Sequence, residues 1–245
     1  MAFKADLHVH SDNSHDGRSG LDELASAAKE RGLDAIAVTD HNVFTLSSPE
    51  TRNGVLLLPG CEISSAEGHH ILALFCREPF DVLAMRKRGS LPSAAEVTEA
   101  IHAHGGVAVL AHPFGKRRTD CSPVAPLIDA AEHFNARGYF KNPEANAMAA
   151  DFLHRFSLPE TGGSDAHHRG EVGNCYTEAD GGTAGDLEIA LREGKTRGVF
   201  VRNTSHLQKG LSQFARRRRS KSLPSLIKGC AYLAYCALLD LFKRA

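Results

Sequence analysis

Asp6-Leu7-His8-Val9-His10, close to the start of the 245-residue chain, decides how the rest is read. Lys4 to Val9 has the alternating character of a short strand, and in a strand residues two apart share a face. His8 and His10 therefore project together, roughly 6–7 Å apart at about 3.3 Å per residue. From that spacing two imidazoles can converge on one metal ion. Asp6, on the same face, is placed to accept the second ring N–H of a histidine and fix its tautomer. Taken alone, H-x-H reads equally well as two surface histidines on an edge strand. What tips the balance is that similar ligand sets recur at the ends of later strands.

Those strands alternate with helices. Ser19 to Arg31 is an amphipathic helix with Leu21, Leu24, Ala25 and Ala28 on one face and Gly32 as its stop. Ala35 to Val38 is a buried-type strand leading into Thr39-Asp40-His41. Val55 to Leu58 is a third strand, followed beyond Pro59-Gly60 by Glu62, and His70 to Phe75 is a fourth. Ser93 and Glu96 form a capping box for a helix that Gly105-Gly106 ends. Val107 to Ala111 delivers His112-Pro113, whereas Leu127 to Phe134 fits helix or strand. Pro143 to Phe156 is helical, Gly162-Gly163-Ser164-Asp165-Ala166-His167 closes the series, and Asp186 to Arg192 is a helix before Gly198 to Val201. This alternation implies an α/β domain with a mainly parallel sheet. We place that domain at 1–202 and a basic, apolar and helical tail at 203–245.

Composition narrows the class. Hydrophobic residues make up 42% and charged residues 24%, ordinary values for a soluble protein. The formal net charge is zero, so no global field draws the chain to nucleic acid, and duplex DNA is not expected as a partner. The six cysteines form no C-x-x-C pair, which argues for reduced, mostly buried thiols and a cytoplasmic location. No apolar segment of signal-peptide type follows Met1. Histidine is over-used, with 14 against 4 Tyr and no Trp.

Polar residues at the C-terminal ends of such strands lie on one rim, where barrels and open sheets place their chemistry. Collected there are His8, His10, His41, Glu62, His70, His112, Asp165 and His167, with Asp16 in the first loop. That is too many imidazoles and carboxylates for one ion, and the mixture suits Zn, Mn or Fe better than Mg or Ca. Glu62 is the candidate for a carboxylate bridging two ions.

The ordered set D-L-H-V-H, T-D-H, C-E-I-S, H-I-L-A-L, A-H-P and G-S-D-A-H, from Asp6 to about Gly173, resembles the PHP (polymerase and histidinol phosphatase) superfamily. The resemblance implies a distorted (β/α)7 barrel, three divalent ions and phosphoester hydrolysis by a metal-activated hydroxide. It implies His8, His10, Glu62 and Asp165 on one metal, Asp16, His41 and His167 on a second, and Glu62, His70 and His112 on the third. Glu62, Asp165 and His167 are the implied catalytic set. Asp16 is preferred to Asp12 because the family places this carboxylate just before a glycine. Asp6 and Asp40 then serve as partners behind the ligands, and His69 and His168 as solvated rings. For the substrate phosphate, Arg18, Lys116 and Arg117 are chosen from the basic residues of the rim loops; the run Lys116–Arg118 reads equally as a solvated charge cluster.

The G-C-E-I-S motif and the compact A-H-P to G-S-D-A-H arrangement resemble members acting on nucleotides, so a nucleoside bisphosphate or a short 5′ RNA end is the expected substrate. Histidinol phosphate is the alternative, and a non-catalytic metal-containing binding module is the alternative of another class. In the tail, Arg216–Arg219 and Lys221 precede an apolar segment, Gly229 to Leu239, too short to span a bilayer, which takes about 20 residues. A helix packed on the barrel with solvated arginines is preferred there. A peripheral membrane anchor and electrostatic steering of nucleic acid are the other two readings.

Overall fold

The computed structural model describes residues 1–87, 89–115, 120–140 and 142–242. Strand β1 (Ala2–Val9) forms where Phe3, Ala5 and Leu7 alternate with Lys4, Asp6 and His8, and it is buried from Ala5 onward. Helix α1 (Leu21–Glu30) buries Leu24, Ala25, Ala27 and Ala28. Gly32, at φ 67°, ends that run in the left-handed region, where a side chain is disfavoured. There follow β2 (Ala35–Val38), β3 (Glu50–Arg52), β4 (Val55–Ser64), β5 (His70–Leu74), α2 (Ala94–Ala103) and β6 (Val107–Ala111). The ambiguous stretch resolves into a 3-10 turn (Ala125–Leu127) and strand β7 (Ala130–Asn135). The chain continues with α3 (Ala145–Phe156), β8 (Glu160–Gly163), β9 (Cys175–Asp180), α4 (Ala184–Arg192), β10 (Arg197–Phe200), α5 (His206–Arg219) and α6 (Leu223–Phe242). The capping box at α2 is present, with the Ser93 hydroxyl accepting from the Glu96 N–H.

The strands lie in the order β10-β9-β1-β2-β4-β5-β6-β7-β8, with β3 paired to β4. The sheet curls until its ends nearly meet. Gly162 of β8 exchanges hydrogen bonds with the Thr177 hydroxyl of β9 (2.9 Å each), and the His10 N–H donates to the Ala166 carbonyl (2.8 Å). The result is the expected distorted α/β barrel with a helical tail. Its sheet is mixed, however, and not mainly parallel. β1–β2, β2–β4, β6–β7 and β7–β8 are parallel, whereas β5 is antiparallel to β4 and β6, and β9 to β1 and β10. The cause at β5 is connection length. Only residues 65–69 separate it from β4, and a parallel crossover needs a dozen or more.

β4 also runs longer than its apolar stretch. Its first half pairs with β2 and its second half with β5, and the change of partner falls at Pro59-Gly60. A Cβ on Gly60 would stand 2.8 Å from the Thr39 methyl, so only glycine fits this close crossing. The strand then carries Glu62 up to the rim.

Three large apolar clusters among the described residues hold the barrel. Leu24, Ala28, Ile36, Val38 and Leu57 pack α1 on one stretch of its outer face. Val97, Ile101, Leu110, Ile71, Phe152 and Leu153 seat α2 and α3 on another. Residues of the opposite strand faces, among them Leu7, Leu72, Leu74 and Val109, meet one another and Leu187 and Leu191 of α4. The six cysteines form no disulfide, and Cys61, Cys121, Cys175 and Cys236 are buried.

The tail departs from expectation. α5 packs against the rim, with Lys209 and Ser212 buried and Arg219 donating to the carbonyls of Ser14, Asp12 and Gly17. The basic run is therefore partly built into the rim. α6, 20 residues long, packs back along α5 and leaves most of its surface exposed. It is longer than the apolar segment suggested because Leu223 to Lys228 continues the same helix.

Candidate metal centre

Six strands bring the histidines and carboxylates to one rim. β1 carries His8 and leads directly into His10, the turn after β2 carries His41, and the second half of β4 carries Glu62. His112 follows β6, while Asp165 and His167 follow β8. β5 delivers His70 at its beginning rather than its end, which is the same rim because the strand runs backwards.

Glu62 is the hub, 1% exposed. Its Oε1 lies 2.7 Å from His70 Nδ1 and 2.9 Å from His112 Nε2, and its Oε2 lies 2.8 Å from His41 Nδ1 and 3.3 Å from His10 Nε2. Asp165 Oδ1 stands 3.5 Å from His10 Nε2 and 3.3 Å from His167 Nδ1. Asp16 Oδ1 stands 3.3 Å from His167 Nε2 and 3.7 Å from His41 Nε2, while Asp12 is exposed on the surface. All nine expected ligand positions thus converge. His15, which sequence reasoning passed over, joins them beside Asp16 and His41.

The electrostatics describe a site short of positive charge. Burial opposes ionisation of Glu62, yet His70, His41 and His8 hold its carboxyl well below the usual range. Asp16 and Asp165 are likewise held low against burial, chiefly by His167 and His8 respectively. Burial pulls the His41 imidazole down, but the Glu62 and Asp16 carboxylates outweigh it and hold its pKa at about 9. His10 is pushed to about 3 by burial and by the neighbouring His167 and His41. Protons on imidazoles thus balance the carboxylates, a task divalent cations perform with the same donor atoms. Among the described residues, Glu62 Oε2 and Asp16 Oδ1 are moreover buried without a hydrogen bond. His/Asp/Glu triads with donor atoms within 4.8 Å of one another include His8-His10-Asp165, His10-His41-His167, His8-Glu62-His112 and His41-Glu62-His70. These residues fit bound metal.

Behind the donors, the partners differ from those expected. Asp6 holds no imidazole: its Oδ1 accepts from Ser164 N–H (2.9 Å) and His8 N–H (3.3 Å), and its Oδ2 from Gly173 N–H (2.8 Å). Its carboxylate closes backbone around the β1 and β8 ends instead. Glu132 of β7 takes the imidazole, with Oε1 2.9 Å from His8 Nδ1 and Oε2 accepting the His112 N–H (2.6 Å). A Cβ on Gly163 would stand 2.4 Å from Glu132 Oε1 and 2.6 Å from His8 Cβ, so glycine leaves room for that contact. Asp40 accepts from the Ser11 N–H (2.7 Å) and hydroxyl and from Thr45, fixing the loop that carries Asp16. His69 is buried, 7% exposed, rather than solvated, and His168 is half-buried. His112 (φ 31°) and Asp165 (φ 53°) adopt left-handed backbone conformations that strain residues with a Cβ.

A cavity of about 340 Å³ opens over this rim, lined by His41, Glu62, His70, His112, Asp165 and His167 with two cationic residues, Arg137 and Lys209. Arg137 is buried and pairs with Glu171 (2.7 Å), whose other oxygen accepts the His167 N–H (3.0 Å). Lys209 arrives from α5 and donates to the Arg137 carbonyl (3.1 Å). Arg18 is half-buried and lies outside that lining; its N–H donates to the His167 carbonyl (3.0 Å). Lys116 and Arg117 lie outside the described residues. Nothing in the sequence marked Glu132, Arg137 or Lys209, since each stands alone among ordinary neighbours.

Comparison with known proteins agrees with this geometry. Residues 6–107 match the PHP domain and residues 143–196 the PHP-associated domain. An uncharacterized protein of Methanocaldococcus jannaschii is 31% identical over 167 residues, covering 60% of this chain and 89% of that one. A two-domain protein of Bacteroides vulgatus, described as containing a predicted PHP-like metal-dependent phosphoesterase, superposes with a TM-score of 0.62 at 20% identity. That match covers 82% of this chain and 65% of the other. Endonuclease Q, solved with a 27-mer duplex substrate carrying an abasic lesion, superposes with a TM-score of 0.58 at 20% identity, over 79% of this chain and 57% of that one. With histidines and carboxylates gathered on one barrel rim, and with PHP and PHP-associated domain matches that together span more than half of it, this chain belongs to the PHP superfamily.

Proposed function

We propose that the protein is a metal-dependent hydrolase of phosphoesters that binds three divalent ions, with Zn, Mn and Fe suited to the donors. The observation that carries this reading is the division of Glu62, whose two oxygens face different imidazoles, His70 and His112 on one side and His41 and His10 on the other. His8, His10, Glu62 and Asp165 would hold one ion, Asp16, His41 and His167 a second, and Glu62, His70 and His112 the third. Bound there, such ions supply an acidified water and charge neutralisation for a phosphate. Glu62, Asp165 and His167 carry the catalytic role by holding these positions. Arg137 and Lys209 would orient the phosphate from the wall of the cavity, and Arg18 would add a further positive charge. The buried Arg137–Glu171 pair keeps His167 in place through its backbone.

For the substrate we infer a nucleotide-type phosphoester, a nucleoside bisphosphate or a short 5′ RNA end. Support comes from the C-E-I-S and G-S-D-A-H motifs and from a cavity of small-molecule size. Residues 1–202 form the hydrolase unit in this reading, and a chain whose six cysteines form no disulfide fits the cytoplasm. The test is a substrate screen on metal-replete protein with nucleoside 3′,5′-bisphosphates, 5′-phosphorylated short RNA, duplex DNA ends and histidinol phosphate. Duplex ends belong in the panel because Endonuclease Q shares the fold. Turnover of the first two supports the proposal. Turnover of histidinol phosphate alone, or none with full metal loading, overturns it.

A further inference from the structure

Helix α6 has an unusual surface. Leu223, Ile227, Tyr235, Leu238, Leu241 and Phe242 are each more than half exposed. Their spacing places them on one helical stripe, about 30 Å long at 1.5 Å per residue. The opposite side packs on α5, where Gly229 and Cys236 are buried against Phe214 and Gly210. An apolar stripe of this length on one helix calls for a cover.

Charge decides what covers it. From His206 to Leu239 the chain holds seven Lys and Arg and no Asp or Glu. Arg218, Lys221 and Lys228 are exposed where α5 turns into α6, near the beginning of the stripe. Asp240, the acid that follows, is occupied by the N–H groups of His206 (3.1 Å) and Leu207 (2.8 Å) at the start of α5. A second copy laid on this stripe would bring cations without acids to meet them. An anionic bilayer surface supplies apolar depth and negative charge together. α6 has the length and composition to cross a membrane. Crossing would require it to leave α5, bury Lys228 and surrender the Asp240 contacts, so the helix lies on the surface instead.

We propose that the α5–α6 hairpin is a peripheral membrane anchor, setting the exposed stripe of α6 into an anionic leaflet with Arg218, Lys221 and Lys228 among the headgroups. Because α5 also supplies Lys209 to the cavity, the anchor and the wall of the metal centre are one element.

The test is flotation of the full chain with vesicles of phosphatidylcholine alone and of phosphatidylcholine with phosphatidylglycerol. Binding to the second only, weakened by added salt, is expected. The double variant Leu238→Glu/Leu241→Glu changes exposed positions, so circular dichroism and metal content should match the parent while vesicle affinity falls by about tenfold or more. Absence of binding to phosphatidylglycerol vesicles overturns the proposal, as does equal binding by the variant. A concentration-dependent dimer that the variant dissolves, without vesicle binding by the parent, overturns it in favour of self-association.

Discussion

His8 Nδ1 lies 2.9 Å from Glu132 Oε1, with both side chains all but sealed from solvent. The same carboxylate accepts the His112 N–H and the Asn135 amide, so one side chain of β7 orients donors on β1 and β6. Partners of this kind fix the tautomer and the ring direction of a ligating histidine. Glu132→Gln should therefore lower metal affinity roughly 10- to 100-fold with the fold retained. Titration against a chromophoric chelator reads this directly, and unchanged affinity would show that His8 needs no such support.

Glu62→Gln keeps shape but removes the charge shared among four imidazoles. Turnover should fall on the order of a hundred- to a thousand-fold, with bound metal reduced. Steady-state kinetics beside elemental analysis separates the two effects. Near-normal turnover at full metal content would displace Glu62 from the centre of the site.

Arg137→Met strands the buried Glu171 carboxylate. Removing one partner of a buried pair costs about 3–5 kcal/mol. Denaturant melts of the metal-free protein should show a loss of that order, and a loss below about 1 kcal/mol would mean that Glu171 finds water.

Lys209→Met removes a cation from the cavity wall without touching the metal donors. KM for a phosphorylated substrate should rise roughly 10-fold or more, the worth of one charge-assisted hydrogen bond, with metal content unaltered. A change in kcat alone would count against a binding role.

Metal uptake should release protons. His41 is held at about 9 by Glu62 and Asp16 in the absence of metal, so it is protonated at neutral pH and must lose that proton to bind. Its raised pKa contributes stability to the metal-free protein that is full below about 6.5 and is lost as pH rises through about 9. Calorimetry in buffers of different ionisation enthalpy should show proton release, and chelated protein should lose stability between those two values. A metal-free melting temperature that rises across this window would contradict the assignment.

Much of the rim was legible because metal donors are rare residue types placed at strand ends. His8-x-His10 and Asp165-x-His167 announce themselves. The expectation of a mainly parallel sheet fails at β5, where the five residues between Ser64 and His70 already exclude a crossover. Glu132 could not be found by pattern, since its role depends on β7 pairing beside β6 and on the missing side chain of Gly163. The tail was misread for a different reason: composition reveals that α6 is apolar, but only its packing on α5 reveals which side stays uncovered.

The left-handed backbones at His112 and Asp165 set stability and chemistry against each other. Such conformations cost about 1–3 kcal/mol each for residues other than glycine. A glycine at either position would relax the chain and silence the donor. Selection for thermal robustness alone would therefore erode these two positions of the rim. A stabilised descendant that kept its histidines and carboxylates would have to find its gains among the helices outside.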